Sequence, residues 1–243
     1  MRYLALVCDY DSTLADQGIV KDSTIAALRR LSQSGRKLIL VTGRELDDLL
    51  RVFPANEVFD RIVAENGALL YNPSTRKSKP LADPPPSEFV DALRKAGVEP
   101  LSVGKVIVST IKPHDSTVLK AIRALGLEMQ VIYNRDSVMV LPSGVNKSTG
   151  LRAALSDLGL SSHHAVAVGD AENDHALLNM CECGVAVANA IPTLKERADF
   201  VTSEPDGKGV EQLIDMLLLD DLANIKPRGR SHPRWRKLRT TAK

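Results

Sequence analysis

Tyr3-Leu4-Ala5-Leu6-Val7-Cys8 is an almost unbroken apolar run that ends abruptly in Asp9-Tyr10-Asp11. A strand with apolar side chains on both faces must be buried on both, which a parallel sheet covered by helices on each side provides. The acids then stand at the carboxyl edge of that sheet, where open α/β sheets bind ligands. Period-two alternation expects both carboxylates on the same side of an extended chain, where they repel unless a cation or a proton lies between them.

The same grammar recurs. Asp22-Ser23-Thr24 is a candidate N-cap ahead of Ile25, Leu28 and Leu31 at helical spacing, and Gly35 ends that helix. Lys37-Leu38-Ile39-Leu40-Val41 reads as a second buried strand and runs into Thr42-Gly43-Arg44 before a helical pattern at Leu46, Leu49, Leu50 and Val52. Strand, helix, strand, helix argues a doubly wound parallel sheet with right-handed crossovers. At the second strand end Thr42 offers a hydroxyl, and Gly43 lets the backbone approach an anion closely. Arg61-Ile62-Val63-Ala64 predicts a third strand, Glu65-Asn66-Gly67-Ala68 a tight turn, and Leu69-Leu70-Tyr71 the returning arm of a hairpin.

Texture then changes. Residues 72–86 are rich in Pro, Ser and Lys and close on Pro84-Pro85-Pro86, as a linker would. A compact α/β unit is expected beyond it: a helix near 87–96, a strand near 101–111, a helix near 114–125, and strands near 129–133 and 137–141. The expected division is a main domain of residues 1–80 and 142–222 with a small inserted domain at 81–141. Lys147 opens the next helix, with Leu151, Ala154, Leu155 and Leu158 as its apolar stripe. Ala165-Val166-Ala167-Val168 then delivers Gly169-Asp170-Ala171-Glu172-Asn173-Asp174 to the carboxyl edge that already holds Asp9 and Asp11. Residues 184–187 and 200–202 read as two more short strands, and 210–219 as a closing helix.

Composition bounds the class. No stretch of about 18 apolar residues occurs, and no charged-then-apolar leader precedes the first strand, so a cytoplasmic enzyme is expected, with no membrane partner. Cys8, Cys181 and Cys183 lack framework spacing and read as reduced thiols. The net charge of +2 hides an asymmetry: residues 226–243 hold eight Lys or Arg and no acid. That basic tail, with Trp235 among its cations, reads as a solvated, disordered terminus, with contact to nucleic acid or an acidic surface as one alternative and a truncated linker to a lost domain as another.

Taken together, the four motifs resemble the haloacid dehalogenase-like phosphohydrolase superfamily, in that family's order and over nearly all of residues 1–220. The insert falls between the Thr42 and Lys147 motifs, where the family's α/β caps of the C2 type occur. Gly169–Asp174 with Glu65–Ala68 looks like the Cof-type, sucrose-phosphatase-like branch, with a cap as short as that of the archaeal type of phosphoglycolate phosphatase. The resemblance implies Asp9 as nucleophile, Asp11 as general acid and base, Lys147 as the cation neutralising the phosphoryl group, and Thr42, Gly43 and Asn173 as phosphate ligands. It also implies Mg²⁺ held by Asp9, the backbone carbonyl of Asp11 and Asp170, with Asp174 in support.

The implied activity is a Mg²⁺-dependent phosphohydrolase acting on a small phosphorylated metabolite, a sugar phosphate or a phosphoglycolate-like compound, through an aspartyl-phosphate. The chemistry requires such a site, because a carboxylate and a phosphate dianion repel until positive charge is gathered around them. A phosphomutase or phosphotransferase of the same superfamily would use the same nucleophile, and a phosphoacceptor signalling module is the more distant alternative. Asn66, Arg44, Lys112, His114 and Arg135 are candidate substrate contacts. Two departures stand out: Ser12 where the family usually has Gly, and Tyr10 where it usually has an aliphatic residue. Oligomeric state is left open.

Overall fold

The computed structural model describes residues 1–227, so nearly all of the basic segment 226–243 lies outside the described residues. β1 (Ala5–Cys8) is fully buried and pairs in parallel with β2 (Lys37–Val41) on one side. On its other side lies β10 (Ala165–Gly169). The eight-stranded sheet runs β12-β11-β10-β1-β2-β3-β4-β5, completed by β3 (Arg61–Ala64), β4 (Leu69–Asn72), β5 (Lys77–Pro80), β11 (Cys183–Ala186) and β12 (Phe200–Val201). Pairing is parallel from β12 to β3 and antiparallel at β4 and β5.

From β1 the chain crosses to β2 in one direction through α1 (Asp22–Gln33), and from β10 to β11 in the other through α6 (His175–Met180). Right-handed crossovers therefore place these helices on opposite faces. The α1 helix packs against α8 (Asp206–Asp220), and α6 against α5 (Lys147–Asp157), while the short α2 (Leu46–Val52) follows β2 and α7 (Pro192–Lys195) precedes β12. This is the doubly wound sheet that the apolar runs predict. Its switch point is β1, so the sequence directly after Cys8 lies where a crevice opens.

Between β5 and α5 the chain builds a second, antiparallel sheet of order β6-β7-β9-β8. Its strands are β6 (Ser102–Val103), β7 (Val108–Ile111), β8 (Met129–Asn134) and β9 (Ser137–Pro142), with α3 (Ser87–Lys95) and α4 (Asp115–Ala124) packed together. This unit has its own core, including Phe89, Leu93, Val118 and Val140. A further apolar cluster joins Ala68, just before β4, to Val106, Ile107, Met139 and Leu141 of the insert, forming a seam between the sheets.

Three local expectations change. The segment 72–86 contains β5, whose backbone pairs with β4 although its side chains are exposed. The single strand expected near 101–111 is two, β6 and β7, paired antiparallel across an intervening turn. Asp22 begins α1 rather than capping it, and Ser23 and Thr24 donate their hydroxyls to Glu211 of α8 at 2.7 and 2.8 Å. All three cysteines are free and buried.

Candidate active site

Asp9 is the first residue beyond β1, and its amide still donates to Val168 O of β10 at 3.0 Å. Lys147 reaches it from the first turn of α5, whose start is doubly fixed. The Asn146 side chain accepts from the Ser148 and Thr149 amides, and Thr149 Oγ1 accepts from the Asn146 amide. The turn after β3 also backs onto it: Gly67 has φ 110°, and a Cβ there would stand 2.0 Å from Asn146 O. Thus two chain segments far apart in sequence set where the ammonium points.

Lys147 is buried, and its Nζ donates to Asp9 Oδ1 at 2.5 Å and Asp174 Oδ1 at 2.7 Å. Asp174 Oδ2 accepts the amides of Asp170 and Ala171, each at 3.0 Å. Gly169 makes room, since a Cβ there would lie 2.6 Å from Asp174 Cγ. Asp170 Oδ1 accepts Thr13 Oγ1 at 3.0 Å, and Asp170 Oδ2 accepts Arg135 Nη2 at 2.6 Å.

Oxygens of Asp9, Asp170 and Asp174 lie within 4.8 Å of one another. Burial and the charge of Asp174 push both Asp9 and Asp170 up from the ordinary carboxylate range, against Lys147 at Asp9 and against Arg135 and Thr13 at Asp170. Burial would lower Lys147, but Asp174 and Asp9 outweigh it and hold the ammonium charged. One buried cation among three buried carboxylates leaves the cluster short of positive charge. An all-oxygen donor set of this kind fits a hard cation such as Mg²⁺. Asp174 already accepts Lys147 and two amides, more bonds than Asp9 or Asp170 accepts, so Asp9 and Asp170 are the side chains best placed to hold the ion.

A second polar pair lies beside Gly43. Asn173 Nδ2 donates to Asn66 Oδ1 at 3.1 Å, while Asn66 Nδ2 and Asn173 Oδ1 are buried without a partner. An orphaned donor and an orphaned acceptor on one hydrogen-bonded pair suit a polar ligand. Thr42 is buried, and its hydroxyl oxygen accepts the Arg44 amide at 3.1 Å.

The sequence pattern of the haloacid dehalogenase-like hydrolases matches residues 6–117 and 97–214. The chain belongs to this family. The hydrolase is 30% identical over 220 residues to a phosphoglycolate phosphatase of Methanothermobacter thermautotrophicus, covering 86% of this chain and 96% of that one. It is 29% identical over 222 residues to phosphoglycolate phosphatase 2 of Saccharolobus solfataricus, covering 88% and 92%. Among solved structures, a Thermoplasma acidophilum protein superposes with a TM-score of 0.76 at 16% identity, over 90% of this chain and 100% of that one.

In this hydrolase a cavity of about 460 Å³ separates the sheet edge from the insert. Asp11, Ser12, Gly43, Arg44 and Asp170 line one side; Ser102, Ser109, Asn134, Arg135 and Met139 line the other. Met139 Sδ would stand 3.3 Å from a Cβ at Gly43, so the insert closes directly over that glycine.

Asp11 is where expectation and structure part. The chain curls after Asp9, with Tyr10 O accepting the amides of Leu14 and Ala15 at 2.9 and 2.8 Å. The Asp11 carboxylate consequently leaves the Asp9 cluster and accepts Arg44 Nε at 2.9 Å and Nη2 at 2.7 Å. The like-charge pairing read from two-residue alternation is replaced by an ion pair. Tyr10 supports it, lying under the Arg44 guanidinium at 5.3 Å and packing on Phe53; burial pushes its hydroxyl up to about 12.

Lys112 and His114 do not line the cavity: Lys112 Nζ donates to Arg135 O at 2.9 Å, and the His114 ring lies 2.9 Å from Glu99 O. Sequence reasoning assigned nothing to Thr13 or Glu65. Thr13 stands within the Asp9–Leu14 motif, and its distance from the acids was the available signal. Glu65 carried none, because its partners lie 40 residues away and more: its carboxylate accepts the amides of Lys105 at 2.9 Å, Val106 at 2.6 Å and Ile107 at 3.0 Å.

Proposed function

We propose that the chain is a cytoplasmic, Mg²⁺-dependent phosphohydrolase that cleaves a small phosphate monoester through an aspartyl-phosphate on Asp9, with residues 81–141 acting as its cap. The observation that carries this reading is the buried Asp9 carboxylate, pinned at the switch point by Lys147 and crowded by Asp170 and Asp174. Asp9 and Asp170 would hold Mg²⁺, with the Asp11 carbonyl assigned by family resemblance. Bound there, the ion supplies the positive charge that lets a carboxylate and a phosphate dianion approach.

Asp9 attacks phosphorus, and the bond from phosphorus to the ester oxygen breaks. Lys147, fixed by Asp174, offsets charge on the phosphoryl oxygens. Thr42, the Gly43 amide, Asn66 and Asn173 hold those oxygens. Asp11 gives its proton to the leaving alkoxide and then takes one from the water that cleaves the aspartyl-phosphate, regenerating Asp9 and releasing phosphate. That role requires the Arg44 clasp to open, since an arginine-bound carboxylate only accepts hydrogen bonds. The archaeal relatives named phosphoglycolate phosphatase favour a phosphoglycolate-like substrate.

Phosphate release from phosphoglycolate, hexose phosphates, sucrose phosphate and an aryl phosphate, with and without Mg²⁺, tests the reading. Turnover should require Mg²⁺ and fall at least about 10³-fold in Asp9→Asn. Transfer to an added sugar without release of phosphate would return the mutase alternative. Full activity in Asp9→Asn would overturn the mechanism.

A further inference from the structure

Arg135 sits in the two-residue turn between β8 and β9, where Asn134 pairs with Ser137, and it has φ 54°. A Cβ disfavours that conformation, and hairpin turns of this length usually give it to Gly or Asn. The tip is nonetheless held firmly: Lys112 donates its Nζ to Arg135 O at 2.9 Å and its amide to Asp136 O at 3.0 Å. Backbone strain kept at a well-anchored position points to a use for the side chain placed there.

That side chain crosses the cavity. Arg135 Nη2 meets Asp170 Oδ2 at 2.6 Å, yet 55% of the side chain remains exposed, whereas the Asp170 side chain is 2% exposed. The other arginine lining the cavity, Arg44, is clasped between Asp11 and Asp48. Among the described residues Arg135 makes one ion pair, with Asp170, and under the proposed function that partner is a metal ligand. With Asp170 committed to a cation, the guanidinium, carried into the cavity by the insert, is left for the leaving group of an ester attacked by Asp9. The small hydroxyls of Ser102 and Ser109 line the same side and leave room for a short, polar group.

We propose that Arg135 is a specificity residue that exchanges Asp170 for a carboxylate carried by the leaving group of the substrate. The inference rests on the phosphohydrolase reading and narrows it to phosphate monoesters with a second anion one or two carbons from the ester oxygen. A guanidinium meets a carboxylate with two parallel hydrogen bonds, and a hydrogen-bonding site discriminates strongly against analogues lacking the group.

The test compares kcat/KM for 2-phosphoglycolate with that for ethyl phosphate, which has the same skeleton without the carboxylate, in the wild type, Arg135→Gly and Arg135→Lys. The ratio of the two should fall about 30-fold in Arg135→Gly, chiefly through KM for phosphoglycolate, and recover in part in Arg135→Lys, which restores charge without the planar fork. The thermal midpoint of Arg135→Gly should not fall, because glycine relieves the turn. An unchanged ratio overturns the proposal, and so does an equal loss on both esters, which would place Arg135 on the phosphoryl group or in the scaffold.

If the wild type hydrolyses other phosphate monoesters but neither of these two, the carboxylate specificity is overturned; if it hydrolyses none, the phosphohydrolase reading fails instead. The same ratio is then read from calorimetric dissociation constants, and its persistence in Arg135→Gly overturns the specificity role. A third arm needs no turnover. Titrated with Mg²⁺ alone, Arg135→Gly should bind several-fold more tightly than the wild type, since a competing cation has left Asp170; equal or weaker binding overturns the exchange.

Discussion

Ser12 occupies a left-handed backbone position, φ 57°, at the turn that carries the chain from Asp9 and Asp11 into the body of the molecule. Its amide donates to Ala15 O at 2.9 Å, and its carbonyl accepts Asn189 Nδ2 at 2.7 Å, so the surrounding bonds impose the conformation. A Cβ there costs about 1–2 kcal/mol. Glycine would remove that cost but would lose about 0.5–1 kcal/mol through the greater freedom of the unfolded chain. Ser12→Gly is therefore expected to stabilise by about 0.5–1 kcal/mol and to raise the thermal midpoint by about 1–4 °C. Melting followed by circular dichroism checks this, and a lowered midpoint would show that the serine makes a compensating contact. The same reasoning separates Ser12 from Arg135: both bear the strain of a positive φ, but the serine hydroxyl makes no hydrogen bond among the described residues, whereas the arginine reaches the acidic cluster.

The turn after β3 acts between elements. Glu65 and Asn66 both have positive φ, 52° and 53°, which turns the Glu65 carboxylate into the loop between β6 and β7. Gly104 completes the contact, since a Cβ there would approach the Glu65 carboxylate to 3.0 Å. Three amides on one buried carboxylate fasten the insert to the sheet, and charge-assisted bonds of this type are worth about 1.5–3 kcal/mol each. Glu65→Gln keeps the shape but has one acceptor oxygen in place of two, so exchange of the Val106 and Ile107 amides is expected to quicken about 10- to 100-fold. Hydrogen exchange resolved at these residues measures it, and unchanged rates would mean that the loop is held by the apolar seam alone.

Glu65 also shows where sequence reading stops. β1, β2 and β10 are legible because their apolar runs report burial locally, and the meeting of Asp9, Asp170, Asp174 and Lys147 follows from their strand ends and helix start. β5 is illegible in Lys77-Ser78-Lys79-Pro80, because its pairing is made by backbone groups and its side chains face solvent. The split of 101–111 and the direction of Asp11 depend on partners distant in sequence, Glu65 and Arg44, which no local pattern names.

Across the whole molecule, stability should depend on pH through two sets of carboxylates of opposite sign. Burial raises Asp221, Asp48 and Glu211, but hydrogen bonds from Arg2 and Arg36, from Arg51 and Arg44, and from Lys208, Ser23 and Thr24 outweigh it and hold them below the ordinary range. His163 and Arg2 do the same for Glu182. Each group contributes stability that is present above its unfolded pKa and is lost as pH falls through the lower folded value, which places this loss below about pH 4.

Asp9 and Asp170 act the other way. Their raised folded values mean that the folded chain binds more protons than the unfolded chain in the window above about pH 4, so their ionisation costs stability as pH rises. His175, lowered by burial and by Arg197, runs against them below about pH 6.5, so the wild-type profile alone mixes the two. Asp9→Asn separates them. In the presence of a chelator the variant should be more stable than the wild type at pH 7 by urea denaturation, and its advantage should shrink toward pH 4 as the wild-type Asp9 takes up its proton.

Mg²⁺ should reverse the order at neutral pH. It binds the folded, ionised cluster and adds stability that grows with its concentration over its dissociation constant, and the variant has lost one of the two side chains placed to hold it. A variant that is less stable than the wild type at pH 7 under chelation would mean that the Lys147 bond to Asp9 outweighs the crowding, and the cluster would then need no further cation to keep Asp9 charged.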